Sequence, residues 1–442
     1  MSYFLGIDLG TSYFKTGIFD ENGKLHGLGR HFVEKNTGDG NTCELEVAVF
    51  RKTIRRCIED AMTEAKISAK EICALSYASQ ANSFILLDSA DKPLTPIIVW
   101  SDGRVKELPA ALQTLTERPD FMATTGLGIQ PGHQSMIAKI DWFQKKQPQM
   151  MEKVKSILSI SDYLIWLLTG EKVSDGSTSS MTGLLNSKES KWWQRAMEIC
   201  NIEEEKFSTL LKIGTFVGRL SDSGAEYSGL SQHTSLFSGA LDHHAVAIGA
   251  GLPRWNYISE SSGTVLACVN YRKGYHPREG VNIAQGLDED HSFQMAFCEN
   301  GAAALEQYQK IYAPELTLPE LLALTKKNHP HARPVQAILE STGASLLQLV
   351  KELDAGNEAE AVVPSGGGAK SDLWLQMKAN RLDKVFLTPD TNELACKGAA
   401  ILCSIGMSYF KNMNEAMDRQ VHFLKSVYPD PVEVEKYKNN SL

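Results

Sequence analysis

Two stretches of this 442-residue chain, about half its length apart, repeat one design, and no other feature constrains the fold as much. The first is MSYFLGIDLGTSYFKTGIFD, in which β-rich runs at residues 3–7 and 14–19 flank Asp8-Leu9-Gly10-Thr11-Ser12. The spacing predicts a hairpin whose turn carries a carboxylate, a glycine and two hydroxyls. Gly10 lets backbone N–H groups approach an anion closely, because it has no Cβ to hold a ligand away. Thr11 and Ser12 add hydroxyl donors, Asp8 is a suitable ligand for hydrated Mg²⁺, and Lys15 places a positive charge on the second strand. The second stretch, NYISESSGTVLAC at residues 256–268, is again a β run, a Ser-Gly-Thr turn and a β run. It matches the first in kind rather than in letters. Together they read as two halves of a phosphate clamp.

Composition removes several classes of function. A formal net charge of −8 argues against nonspecific binding to nucleic acid or an anionic membrane, which needs dense Lys/Arg patches. The richest apolar run, residues 163–168, is far short of the roughly 20 residues that span a bilayer. The N-terminus lacks a basic region followed by an apolar one, so it does not read as a signal peptide. Eight scattered cysteines, with no C-x-x-C pair and no metal-finger spacing, fit reduced thiols in a cytoplasmic protein.

Strands alternating with helical patterns predict an α/β architecture, and the length predicts two domains. A third antiparallel strand is expected at residues 24–32, a helix at 44–65, and short strands at 72–77 and 84–88. Residues 174–186, rich in Ser, Thr and Gly, predict a surface loop or edge hairpin. The domain boundary falls near the end of the Gly/Ser-rich tract 214–238, giving domains 1–238 and 239–442. A strand at 361–364 ends in Ser365-Gly366-Gly367-Gly368, a helix follows to Leu382, and another covers 394–405. The tail beyond Asp418 carries no site signal and is expected to pack loosely.

Four separated pieces then suggest one nucleotide site: the turn at Asp8 to Ser12, the turn Ser262-Gly263-Thr264, the Gly366-Gly367-Gly368 strand-to-helix junction, and Asp242 opening a small-residue helix. Each has a plainer reading, since Gly-Thr is often only a turn and a helix-opening Asp is often only an N-cap. Their order and the duplication favour the site. A P-loop and a dinucleotide fingerprint are both absent from the sequence. The His243-His244 pair is poorly suited to zinc, since adjacent side chains point different ways.

These motifs resemble the FGGY family of carbohydrate kinases, on its xylulokinase and gluconate-kinase-like branch. The resemblance runs from residue 3 to about 410 and rests on GIDLGTSYFKTGIFD, WSDGR at 100–104, GALDHHAVAIGAG around Asp242, SGT at 262–264, PSGGGAKSDLWLQMKAN from Pro364, and NELACKGAA from Asn392. It implies two ribonuclease-H-like domains of the actin/hexokinase type with a cleft between them. ATP would lie mainly on the second domain and a small sugar mainly on the first. Asp242 would be the general base for the attacking hydroxyl, and Asp8 would hold Mg²⁺ through water. Gly10, Thr11, Ser12 and Lys15 would face the β- and γ-phosphates, with Gly263 and Thr264 as the second clamp. Gly366, Gly367, Ser371 and Glu393 would fall in the adenosine-binding segments.

On the sugar side the resemblance implies contacts from Gln80, Asn82, Trp100, Asp102 and His243. The xylulose-type pattern has Gln-Met-His where this chain has Gln80-Ala81-Asn82, and the glycerol-type Arg-Glu pair is replaced by Ala81-Asn82. The implied substrate is a ketopentose, a ketohexose, or a related sugar acid or polyol, and dimers are common in the family. Chaperones and sugar-sensing regulators share the superfold. A chaperone needs a module beyond the core and a DNA-binding regulator a basic helix-turn-helix; neither is visible. A sensor without catalysis would be expected to lose Asp8 or Asp242, and both are present.

Overall fold

The opening hairpin forms where its two apolar runs place it. Strands β1 (Tyr3–Leu9) and β2 (Tyr13–Asp20) pair antiparallel, with Asp8 opposite Lys15. Every residue of β1 is buried, as befits a central strand covered on both faces. Leu25–Phe32 adds antiparallel to β2. On the other side, Ile72–Ser79 runs parallel to β1, Ser235–Phe237 runs parallel to that, and Phe216–Arg219 closes the edge antiparallel. The computed structural model describes residues 2–38, 41–263, 265–298, 301, 303–326 and 329–439.

The second half repeats these six strands in the same spatial order and directions and adds a seventh at one edge. Tyr257–Ser262 and Leu266–Lys273 form its hairpin, and His291–Cys298 joins the latter antiparallel. Ala361–Gly366 and Val385–Pro389 follow in parallel, and Phe423–Val427 ends that side antiparallel. The outermost strand on the opposite edge is Asn282–Gln285. The duplication read from two short turns is therefore a duplicated sheet.

Two helices cross between the sheets. Asp242–Gly249 packs on the second hairpin, Leu394–Gly406 packs on β1, β2 and Ile72–Ser79, and the two helices pack on each other. Gly249 and Gly398 allow that approach, since a Cβ at either would overlap backbone of the facing helix. A helix from late in the sequence thus covers the first sheet. The crossing brings two helix N-termini, and the carboxylates Asp242 and Glu393, towards the tip of the first hairpin.

Two expectations are corrected. Residues 174–186 are largely core rather than a surface loop: Val173–Asp175 is a strand, Gly176–Ser179 and Ser180–Thr182 are helical turns, and Ser174, Ser177, Thr178, Ser179, Ser180 and Thr182 are all buried. Local bonds offset the cost of burying hydroxyls. Ser180 donates to the Ser177 carbonyl at 2.7 Å, Thr182 to the Ser179 carbonyl at 2.7 Å, and Ser174 meets Ser179 at 2.9 Å. The tail is not loose either. Phe423–Val427 is a sheet strand, and the following helix Pro431–Asn439 is tied by Tyr437, whose hydroxyl donates to Glu340 at 2.7 Å.

Candidate active site

Cross-strand pairing in the first hairpin sets the electrostatics at its tip. Asp8 and Lys15 share a face, and Lys15 Nζ lies 3.4 Å from Asp8 Oδ2 and 2.8 Å from Glu393 Oε2. Burial pushes the Asp8 carboxyl up; Lys15 opposes this, while Asp242 and Glu393 push it further. For Lys15 burial works against the charge, but Asp8 and Glu393 outweigh it and hold the ammonium above its ordinary range. One lysine thus answers two carboxylates, and a third, Asp242, is close enough to act on Asp8. The cluster is short of positive charge.

That shortage bears on whether the residues fit Mg²⁺. Gly10 has no Cβ, which would stand 2.8 Å from the Tyr13 carbonyl and 3.6 and 3.9 Å from the two Asp8 oxygens, so the turn closes tightly without crowding that carboxylate. A hard carboxylate with an excess of negative charge around it fits a hydrated Mg²⁺ that takes its remaining ligands from phosphate and water. Thr11 is held at the tip, accepting from Trp100 Nε1 at 2.8 Å through its hydroxyl and from Lys35 at 2.8 Å through its carbonyl. Ser12 is exposed next to it.

Asp242 reaches the same region because Ala240–Leu241 pairs with the end of Ile72–Ser79, Leu241 opposite Ser79. It opens its helix half-buried, and Oδ1 accepts from the His243 N–H at 2.8 Å. His243 is also half-buried, whereas His244 is buried and stacks on Phe293 at 4.7 Å. Burial, with His243 adding to it, pushes His244 down to about 3, so its ring is neutral. Its Nδ1 bonds Ser177 Oγ at 2.7 Å, and the same oxygen accepts from the Leu241 N–H at 3.0 Å. Ser177 therefore anchors the residue before Asp242 and the second residue after it. It comes from the Ser-rich tract read as surface, and nothing in its local sequence marks it.

The sugar-side residues turn out to be more heavily engaged than the sequence suggests. Asp102 has no exposed surface and is corrected from a substrate contact to a structural anchor. Its oxygens accept from the Cys43 N–H at 2.6 Å, and from Arg104 through Nε at 2.7 Å and Nη2 at 3.0 Å. Gln80 is buried, donating from Nε2 to the Leu9 and Gly10 carbonyls at 3.1 and 3.3 Å and accepting from Ser83 at 2.8 Å. Its amide braces the turn of the first hairpin. Asn82, with φ +61°, accepts from the Met136 N–H at 3.0 Å and donates to the Met181 carbonyl at 3.2 Å. Trp100 remains part-exposed between this loop and Thr11. A residue the sequence did not flag, Lys139, sits buried against both of these segments, at residues 82 and 99–100.

On the nucleotide side, Thr264 lies outside the described residues. Gly263 follows Ser262, whose hydroxyl bonds both Lys378 Nζ, at 2.8 Å, and Glu260. Lys378 and Glu260 form a fully buried ion pair at 2.8 Å under this hairpin. Gly366 has φ +79°, and a Cβ there would come within 2.7 Å of the Ser262 carbonyl, so the Gly-rich junction is fitted directly to the second hairpin. At Gly367 a Cβ would meet nothing within 4 Å, which leaves that backbone open to a ligand. Ser371 caps the following helix, accepting from the Trp374 N–H at 3.3 Å. Glu393 is corrected: its side chain is with Lys15 at the first hairpin, not with the Gly-rich junction. Position along the chain suggested adenosine; the helix crossing decides otherwise.

Comparison with known proteins agrees with this arrangement. Residues 3–249 match the model for the FGGY family of carbohydrate kinases, N-terminal domain, and residues 315–407 match its C-terminal domain. Xylulose kinase of Bacillus subtilis (strain 168) is 24% identical over 481 residues, covering 99% of this chain and 95% of its own. Gluconokinase of the same strain is 25% identical, covering 91% of this chain and 87% of its own. A crystal structure of ligand-bound xylulose kinase from Lactobacillus acidophilus superposes with a TM-score of 0.87 at 20% identity, covering 99% of this chain and 96% of that one.

Proposed function

Since the chain belongs to the FGGY family of carbohydrate kinases, and is a carbohydrate kinase with that family's two-domain actin/hexokinase-like fold, we propose that it transfers the γ-phosphoryl group of ATP to a hydroxyl of a small sugar. The acceptor class is a ketopentose, a ketohexose, or a related sugar acid or polyol. The observation that carries this reading is the meeting of Asp242 with the Asp8–Lys15–Glu393 cluster at the first hairpin's tip, where the charge of Asp242 raises Asp8.

Phosphoryl transfer asks for positioning, charge neutralisation and a base near the nucleophile. Asp242 takes the proton of the attacking hydroxyl as the new O–P bond forms and the bond to the β–γ bridging oxygen breaks, releasing ADP. Its position is fixed from behind through Ser177, Leu241 and His244. Lys15, held charged by its carboxylate neighbours, faces the phosphates with Gly10, Thr11 and Ser12, and Gly263 faces them from the second hairpin. Bound through water at Asp8, Mg²⁺ would supply neutralisation of the β- and γ-phosphate charge. Gly366, Gly367 and Ser371 line the adenosine end, while His243 and Trp100 offer the part-exposed polar and aromatic surface that a sugar needs. The lobes 1–238 and 239–442 close about the crossed helices, excluding water from the transfer. Eight free thiols suit a cytoplasmic setting, and no helix among the described residues is long and apolar enough to cross a membrane.

The test is ATP turnover across pentuloses, hexuloses, polyols and aldonates, with NMR of the product to locate the phosphate. The reading expects one class to stimulate turnover strongly and yield a single phosphate ester. Sugar binding with no stimulated turnover by any class would contradict it.

A further inference from the structure

Lys139 lies one turn into the helix Met136–Lys146 and has no exposed surface. Its ammonium group donates to three main-chain carbonyls: Val99 at 2.9 Å, Trp100 at 3.1 Å and Asn82 at 3.2 Å. Three N–H groups meet three acceptors, so the head group is satisfied without a carboxylate. The nearest opposite charge, Asp102, is already committed to Arg104. A buried ammonium is costly, and an apolar side chain of similar length would fill the same space without that cost. What the charge provides is a tie between two loops that are distant in sequence.

Both loops matter to the acceptor side. Asn82 is also held by the same helix, whose Met136 N–H donates to its Oδ1 at 3.0 Å. Trp100 carries the tie forward, because its Nε1 donates to Thr11 at the phosphate hairpin. A path of direct contacts therefore runs from the buried ammonium, through both sugar-side segments, to the phosphate-facing turn. We propose that Lys139 is a positioning residue for the sugar acceptor: by clamping residues 82 and 99–100 to one point, it fixes the acceptor wall relative to the first phosphate hairpin. The proposal rests on the sugar-kinase reading above.

The electrostatic setting supports it. Burial pushes Lys139 down to about 7; Asp102 and Cys43 favour its charge and Arg104 opposes it. The protonated form has three donors and the neutral amine only two, so the clamp should weaken as pH rises through that value.

The experiment uses the full-length enzyme with the sugar that its own panel identifies. Lys139→Met is expected to raise the KM for sugar about tenfold or more while the KM for ATP stays within about twofold. In the wild type, the sugar KM is expected to climb from about pH 6 to about pH 8.5 while the ATP KM does not. A folded Lys139→Met variant with a wild-type sugar KM overturns the proposal. So does a change of equal size in both KM values, which marks a general structural role. If that variant does not fold, a pH-independent sugar KM in the wild type overturns it. A wild type that no sugar stimulates would instead refute the sugar-kinase reading, so the two failures are distinct.

Discussion

The two hairpins share strand order, pairing and a Gly-containing turn, yet they keep their charge in opposite places. The first holds Asp8 and Lys15 at the tip, beside Asp242 and Glu393, with Lys15 part-exposed. The second holds Glu260 and Lys378 beneath the turn with no exposed side-chain surface. Part-exposed charge such as Lys15 can change partners when an anion arrives; a pair with no exposure cannot, and its contribution is to fix geometry. One copy of the design keeps its charge where a ligand can meet it, and the other keeps it as a rigid support.

Predictions follow from that contrast. Asp8→Asn should lower kcat by about 10²–10³, because it removes the carboxylate that would hold Mg²⁺ against the phosphates. Its melting temperature should not fall, since burial and two neighbouring carboxylates already oppose the Asp8 charge. Steady-state kinetics and a thermal melt on one preparation decide it. The second hairpin should respond in the opposite way. Lys378→Met strands Glu260 without its partner and should cost about 3–5 kcal/mol in denaturant unfolding. Glu260→Gln combined with Lys378→Met should recover most of that loss. An unfolding free energy unchanged by Lys378→Met would break the contrast.

Smaller effects sharpen it. Gly366→Ala must place a Cβ at φ +79° and within 2.7 Å of the Ser262 carbonyl. The expected cost is at least about 1 kcal/mol, with a raised ATP KM and an unchanged sugar KM. The smallest concerns the support behind Asp242. Burial pushes the Asp175 carboxyl up to about 7, and it accepts from the Thr178 N–H at 2.6 Å and from Tyr77 at 3.0 Å. A carboxyl raised in the folded state contributes stability that is present below its unfolded value of about 3.9 and is lost as pH rises through the folded one. Asp175→Asn should therefore flatten the pH dependence of the melting temperature between about pH 4 and the folded value near 7. An unaltered slope would show that Asp175 does not titrate there.

The sheets and both turns were legible because a β run, a glycine and a second β run constrain the backbone locally. The position of Asp242 was legible for a similar reason: a short strand delivers it at a helix start. Glu393 was misread because its partner, Lys15, is supplied by a helix crossing that no local pattern encodes. The tract 174–186 was misread because Ser and Thr normally mark exposed turns, whereas here their hydroxyls are satisfied by the backbone one turn back. Asp102 looked like a ligand contact until its buried bonds to Arg104 and Cys43 were seen. Lys139 was invisible for the simplest reason. A lysine in an amphipathic helix reads as solvated, and only the fold shows three carbonyls converging on it.

The central claim is that Asp242 removes the proton from the sugar hydroxyl. It is tested most directly by measuring sugar-stimulated ADP formation and ATP affinity side by side in Asp242→Asn. The account predicts that kcat falls by about 10²–10⁴ while the Kd for ATP changes less than about threefold. Near-wild-type turnover on the true sugar would contradict it.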